Sequence, residues 1–264
     1  MNLPKKSLGQ HWLHDEATLN YIANAAELFP GETVLEIGPG TGTLTRKLID
    51  RGVHIVAVEK DQALAAQLKK SLLNYISQHP PSGKVAVVEG DILKFDLLSL
   101  AADYKVVANI PYYLTSNLLR VFSESKQPPD LMVLLVQKEV AARIAAEPGQ
   151  MSLLAISVQL YYQPMLGQIV PAELFDPPPK VDSQVIILRR HAQPLFKDLD
   201  SQKFFQLTKA GFSQRRKKLR GSLSGGLQIT KDQADDLLER ADINPNTRAQ
   251  ELSLQQWHKL STIF

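Results

Sequence analysis

From residue 33 to residue 37 the chain runs through Thr33, Val34, Leu35 and Ile37, broken only by Glu36, and then meets Gly38, Pro39, Gly40, Thr41 and Gly42. Beyond the glycines, Leu44, Leu48 and Ile49 recur at helical spacing, so the segment predicts a strand, a tight turn and a helix. The pattern repeats at once. Residues 54–58 read as a second strand that ends at Glu59, Asp61 stands where an N-cap belongs, and Leu64, Leu68, Leu72 and Leu73 mark the helix that follows. Two strands joined through a helix in this order make a βαβ unit.

Further strands are expected at 85–89, 105–108, 131–137 and 184–188, and helices at 115–122, 138–146 and 151–161. Alternation of this kind implies a mostly parallel sheet covered on both faces, to which the later strands can add antiparallel members. Strand signals stop after Arg190, and helical patterns remain at 201–212, 231–241 and 253–263. The expected fold is therefore an α/β, Rossmann-like domain over residues 1–192 followed by a small all-helical domain over residues 193–264. Pro80, Pro81, Ser82 and Gly83, and the three prolines 177–179, read as loops.

Composition narrows the possible chemistry. With 264 residues and 44% hydrophobic content the chain can build a sizeable core, and 30 basic against 27 acidic residues leave a net charge of only +3. Affinity for nucleic acid must then come from clustered rather than excess charge. There is no cysteine, which excludes disulfides, thiolate nucleophiles and cysteine-based zinc sites; no metal is expected, and a reducing cytoplasm fits. Met1 to Gln10 contains no apolar run of signal-peptide length, and no segment approaches the ~20 apolar residues of a membrane span. No membrane partner is expected.

In an open α/β sheet, ligands sit beyond the carboxyl ends of the strands. There the chain places Gly38, Gly40 and Gly42 in a close-approach turn, Glu36 just before it, Glu59 after the second strand and Asp91 after the third. The turn alone does not discriminate, because nicotinamide and flavin enzymes use one of the same kind for pyrophosphate. Here Thr43 stands where a dinucleotide fingerprint has its third glycine or alanine, and Glu36 would repel a pyrophosphate. A cationic nucleoside such as S-adenosylmethionine fits better: Glu36 helps balance its charge, Glu59 accepts both ribose hydroxyls, and Asp91 accepts from the adenine amine. Each carboxylate alone could be a solvated or capping residue, but three at successive strand ends point to a site.

After the fourth strand come Asn109, Ile110, Pro111 and Tyr112, followed by Tyr113. This run resembles the Asn-x-Pro-Tyr motif of methyltransferases that act on exocyclic amines. The residue types suit that chemistry, because an adenine amine is a poor nucleophile that gains from acceptors drawing it towards tetrahedral geometry. Asn109 and a main-chain carbonyl of the 110–111 turn can accept its two hydrogens, Pro111 stiffens the turn, and Tyr112 offers a stacking face. No strong general base is required, and the remaining effect is proximity.

Other segments extend the resemblance along nearly the whole chain: Lys6 to Leu13, Glu36 to Thr45, Gln137 to Val140 with Arg143, Phe175 to Ser183, and Phe212 to Lys217 with Leu219, Arg220 and Ser222. Together they are similar to the ribosomal RNA adenine dimethylases, in particular the bacterial enzymes that act on the small subunit. The resemblance implies dimethylation of the N6 amines of two adjacent adenosines in a hairpin loop near the 3′ end of 16S rRNA, within a pre-30S or 30S particle, by a monomer with no obligate protein partner. It implies cofactor contacts at His11, Leu13, Gly38, Glu59, Asp91 and Asn109, catalytic roles for Asn109, Pro111 and Tyr112, and Phe175 as a second face for an extruded base. The chain departs from the family pattern at His11 and Trp12, where the family usually has Asn and Phe.

Arg215, Arg216, Lys217, Lys218 and Arg220 put five cations in six positions. Such a run can be a solvated helix face, but beside an RNA-modifying site it reads as a phosphate grip, together with Lys5 and Lys6. Three other readings remain open at this stage. A methylase of large-subunit RNA would share both the cofactor and catalytic motifs, and is disfavoured by the 175–183 and 212–222 segments. A non-catalytic assembly or transcription factor is disfavoured by the intact Asn109 and Tyr112. A nicotinamide oxidoreductase is disfavoured by Thr43 and the tetrapeptide.

Overall fold

A computed structural model describes residue 5 and residues 9–80, 82–214 and 216–264. Lys6, Ser7, Leu8 and Arg215, all singled out from the sequence, lie outside the described residues. The chain divides into two compact units, one of residues 1–141 and 163–190, the other of residues 142–162 and 191–264.

The first unit is built on a seven-stranded sheet. Its strands are β2 (Thr33–Ile37), β3 (His54–Glu59), β4 (Val85–Glu89), β5 (Tyr104–Asn109), β6 (Leu131–Gln137), β7 (Tyr162–Val170) and β9 (Ser183–Arg190), in the order β4-β3-β2-β5-β6-β9-β7. From β4 to β6 the pairing is parallel, and β9 joins β6 antiparallel with Leu131 opposite Arg189 and Gln137 opposite Ser183. A second, two-stranded ladder joins β1 (Trp12–Leu13) to β8 (Phe175–Asp176). The helices of this region are α1 (Glu16–Ala25), α2 (Thr43–Ile49), α3 (Gln62–Gln78), α4 (Thr115–Glu124) and α5 (Lys138–Ile144), the last of which crosses the division between the units.

Burial follows the patterning. β6 is apolar over its first six residues and all six are buried, as a strand covered on both faces requires. Asp61 caps α3 as expected, accepting from Ala63 N at 3.0 Å and Leu64 N at 3.3 Å. The chain builds β2, β3 and β4 outward to one side and returns to place β5 on the other side of β2. The carboxyl ends of β2 and β5 therefore flank the topological switch point, where open α/β sheets bind ligands.

The second unit contains α6 (Leu153–Gln159), α7 (Ser201–Phe212), α8 (Leu219–Leu227), α9 (Lys231–Arg240) and α10 (Leu254–Ile263) around a fully buried Trp257. Its division differs from the one expected at residue 192. Met151, Ala155, Ile156 and Leu160 pack with Phe204, Leu207, Leu223 and Trp257 in one apolar cluster, so residues 142–162 group with the C-terminal helices although they precede β7 in sequence. Among the described residues, no helix is long and apolar enough to cross a membrane.

Candidate active site

The glycine turn after β2 is held in left-handed geometry, with φ 62° at Gly38, 56° at Gly40 and 80° at Gly42, a region that side chains other than glycine enter at a cost. Gly38 N donates to Val58 O at 2.9 Å and Gly42 N to Pro39 O at 2.9 Å, which fixes the turn against β3. At Gly42 there is also no room, since a Cβ there would come within 2.4 Å of Leu68 Cδ1. Thr43 opens α2 and gives its hydroxyl to Leu13 O at 3.1 Å, tying the N-terminal arm to the turn.

A cleft with about 980 Å³ of empty space lies over the ends of β2, β3 and β5, lined by the glycine turn, residues 9–13, Glu36, Glu59, Asp91 and residues 109–114. It thus gathers all six expected cofactor residues, His11, Leu13, Gly38, Glu59, Asp91 and Asn109, together with Pro111 and Tyr112.

The three carboxylates differ sharply in environment. Glu59 is buried, and each of its oxygens has a main-chain donor: Gly40 N to Oε2 at 3.1 Å and Asp61 N to Oε1 at 2.9 Å. Burial still pushes its pKa above the ordinary value, and each oxygen keeps a second lone pair for a ligand hydroxyl. Asp91 Oδ2 pairs with Lys60 Nζ at 2.8 Å while its Oδ1 accepts from Leu93 N at 3.0 Å, so Lys60 holds this carboxyl below the usual range. Glu36 is 1% exposed, and no hydrogen-bond donor reaches its Oε2. Burial pushes its pKa up to about 8, the nearby Thr45 pulling it down and Glu59 adding to the rise. In the protein alone Glu36 is therefore chiefly neutral at pH 7, not the standing negative charge that the sequence suggests.

Asn109 ends β5 and donates from Nδ2 to His11 O at 3.1 Å. With the amide nitrogen engaged there, Oδ1 remains as the acceptor. Pro111 O takes Leu114 N at 2.9 Å and Ile110 N donates to Leu135 O at 3.3 Å, which holds the turn on β6 and leaves the Ile110 carbonyl as its second acceptor. Tyr112 bonds Ser183 Oγ through its hydroxyl at 2.7 Å, and burial raises its pKa. His11 stacks on Tyr112, ring centroids 5.8 Å apart, and its Nδ1 lies 2.7 Å from Pro177 O. A carbonyl only accepts, so Nδ1 carries the proton.

Several expected residues take other positions. Phe175, expected to form the second face of a base sandwich, is 4% exposed, belongs to the apolar core and is not among the cleft-lining residues. Lys5 pairs with Asp61 at 2.8 Å. The basic run falls mostly on the turn between α7 and α8, not on a helix face: Arg216 and Lys217 are exposed, Lys218 Nζ donates to Asn246 Oδ1 at 2.6 Å, and Arg220, inside α8, pairs with Asp235 at 2.8 Å. Lys60, Thr43 and Ser183 were not anticipated as supports of the site. Their roles are set by residues brought alongside from elsewhere in the chain, which no local pattern reveals.

The residues present fit a cationic nucleoside. Three acidic side chains surround the cleft, one with a buried oxygen lacking a donor, and the indole Nε1 of Trp12, against Gly40, is a buried donor lacking an acceptor.

Comparison with known proteins agrees with this geometry. The family model described as "Ribosomal RNA adenine dimethylase" matches residues 1–264. The chain is 43% identical over 280 aligned residues to the "Ribosomal RNA small subunit methyltransferase A" of Rippkaea orientalis, covering 100% of this chain and 98% of that one. It is 41% identical over 263 residues to the protein of the same description from Dehalococcoides mccartyi, covering 98% of this chain and 88% of that one. Among solved structures, it is similar to a dimethyladenosine transferase from Plasmodium falciparum, with a TM-score of 0.80, 26% identity and coverage of 95% and 96%. It also resembles the 23S rRNA methyltransferase ErmE, with a TM-score of 0.74, 28% identity and coverage of 96% and 98%.

Proposed function

The chain belongs to the ribosomal RNA adenine dimethylase family and is an rRNA adenine dimethyltransferase; from that premise we propose that it dimethylates the N6 amines of two adjacent adenosines in a hairpin loop near the 3′ end of small-subunit rRNA, with S-adenosylmethionine as donor. The near-full-length relatives that carry the small-subunit description are 41% and 43% identical, against 28% for the large-subunit enzyme, and this favours the small subunit. The substrate is a pre-30S or 30S particle, the enzyme acts as a monomer in the cytoplasm, and it has a role in small-subunit biogenesis.

The observation that carries the chemistry is the orientation of Asn109. Its Nδ2 is committed to His11 O, so Oδ1 accepts one hydrogen of the target amine and the Ile110 carbonyl accepts the other. Two acceptors in that arrangement favour the amine as its nitrogen becomes tetrahedral. Tyr112, held by Ser183 and backed by His11, gives the extruded adenine a rigid stacking face. Glu59, Asp91 and the glycine turn hold the cofactor, and Pro111 keeps the catalytic turn in place. When bound, S-adenosylmethionine supplies an electrophilic methyl group on a sulfonium. The proton of the newly methylated amine passes to water, since a protonated adenine amine is strongly acidic.

Arg215, Arg216 and Lys217 grip phosphates and position the RNA without specifying it. Lys218 and Arg220, already engaged by Asn246 and Asp235, chiefly brace the turn.

Incubating the enzyme and labelled cofactor with small and large subunits that lack the modification, then digesting to nucleosides, tests the assignment. Dimethyladenosine from the small subunit alone is the expected result, and label confined to the large subunit would overturn it.

A further inference from the structure

Glu36 and Glu59 are two acidic side chains buried at the ends of neighbouring strands, and the structure treats them unequally. Glu59 receives two main-chain N–H donors, whereas Glu36 Oε2 receives none. On the flanking strands the residues in register with Glu36 are Ala57 and Val107, and α2 offers the Thr45 hydroxyl. None of these carries charge. The titratable group acting on Glu36 is Glu59, which is of like sign. Of the other ionisable groups around the cleft, Lys60 pairs with Asp91, Lys5 with Asp61, Tyr112 bonds Ser183 and His11 directs its Nδ1 proton to Pro177 O, while Tyr113 is exposed and does not act on Glu36. A buried carboxylate helped by a single hydroxyl, with one oxygen lacking any donor and no counter-ion, is disfavoured, so a proton rests on the pair, and on Glu36 in preference to Glu59, which has two main-chain donors.

The ligand proposed for this cleft changes charge during the reaction. The donor carries a sulfonium, and when its methyl group leaves, the C–S bond breaks with the electron pair retained on sulfur, which becomes neutral. The rest of the molecule is unchanged. We propose that the Glu36–Glu59 pair is the group by which this cleft distinguishes the sulfonium donor from its demethylated product, which keeps the ammonium and carboxylate but has lost the positive charge on sulfur, giving up one proton to solvent when the donor enters and taking one back after the methyl group has gone. The pair thereby favours the donor over the product and assists product release. This rests on S-adenosylmethionine being the ligand of the cleft.

The measurement is calorimetric titration of the full chain with S-adenosylmethionine and, separately, S-adenosylhomocysteine, at pH 7 in buffers of different ionisation enthalpy. The slope of observed enthalpy against buffer enthalpy counts protons exchanged. The donor is expected to release close to one proton and the product markedly less. Donor affinity should rise by about tenfold per pH unit below pH 8 and level off above it. Glu36→Gln should abolish the release and narrow the ratio of the two affinities. Should that variant fail to fold, the unaltered protein decides alone: equal proton release with both ligands, or none with the donor, overturns the proposal while leaving the cofactor assignment intact. Failure of either ligand to bind would overturn both.

Discussion

Asn109 passes its Nδ2 hydrogen to the main-chain oxygen of His11 at 3.1 Å, so the residue proposed to face the substrate amine is oriented by the N-terminal arm. The contact uses the main chain of residue 11, and it is therefore available whether the side chain there is His or Asn. Replacing Asn109 by Ala should lower the rate of methyl transfer by about a hundredfold or more, the usual effect of removing one transition-state hydrogen bond. RNA binding should persist, as filter binding would show, and cofactor affinity, read by calorimetry, should fall far less than turnover; near-normal methyl incorporation would remove Asn109 from the mechanism.

Tyr112 joins its bond to Ser183 with the stacking face proposed for it, and substitution can separate the two. Tyr112→Phe keeps the stacking face and loses the 2.7 Å bond to Ser183, which should cost about 1 kcal/mol of stability and leave turnover within severalfold of normal. Tyr112→Ala removes the face and should abolish transfer. Equal activity in the two variants would exclude stacking as the role.

Gly42→Ala tests the glycine turn. A side chain at φ 80° and 2.4 Å from Leu68 Cδ1 should destabilise the protein by about 2–4 kcal/mol, read as a lowered melting temperature. A change under a degree would mean that the turn relaxes freely.

The buried Glu36 also links folding to pH. Its folded pKa of about 8 lies above the unfolded value of 4.5, so across that window the native state holds a proton that the unfolded chain has released. Rising pH therefore draws the equilibrium towards unfolding. The melting temperature of the ligand-free protein should decline from pH 5 to about pH 8 and then level off with respect to this group, and Glu36→Gln should flatten the decline. A wild-type profile that rises across this interval would contradict the assignment.

The paired replacement of Arg215 and Arg216 by Ala should weaken binding to the ribosomal particle and flatten its salt dependence, with cofactor affinity unchanged. Arg220→Ala should instead act on stability, because it strands Asp235, which is about two-thirds buried. Loss of cofactor binding in the first variant would remove it from RNA recognition.

What the sequence made legible was local. The glycines, Glu59, Asp91 and Asn109 each end or follow an apolar strand run, so chain order alone puts them on one edge of the sheet. β7 was not anticipated, because Pro164, Gly167 and exposed Met165, Leu166 and Ile169 blur its pattern at the sheet edge. α8 was missed because it begins within the basic run and carries Gly221, Gly225 and Gly226. Membership of residues 142–162 in the helical unit depends on packing against helices that begin only at Ser201. The burial of Phe175 and the pairing of Lys60 with Asp91 likewise arise only from long-range contacts.

The ladder between β1 and β8 joins Leu13 to Phe175 and Trp12 to Asp176. Trp12 and Leu13, which line the cleft, are thus held by a strand that lies far along the chain from them. A change at Phe175 or Asp176, neither of which lines the cleft, therefore reaches the cleft through the strand that holds Trp12 and Leu13 in place.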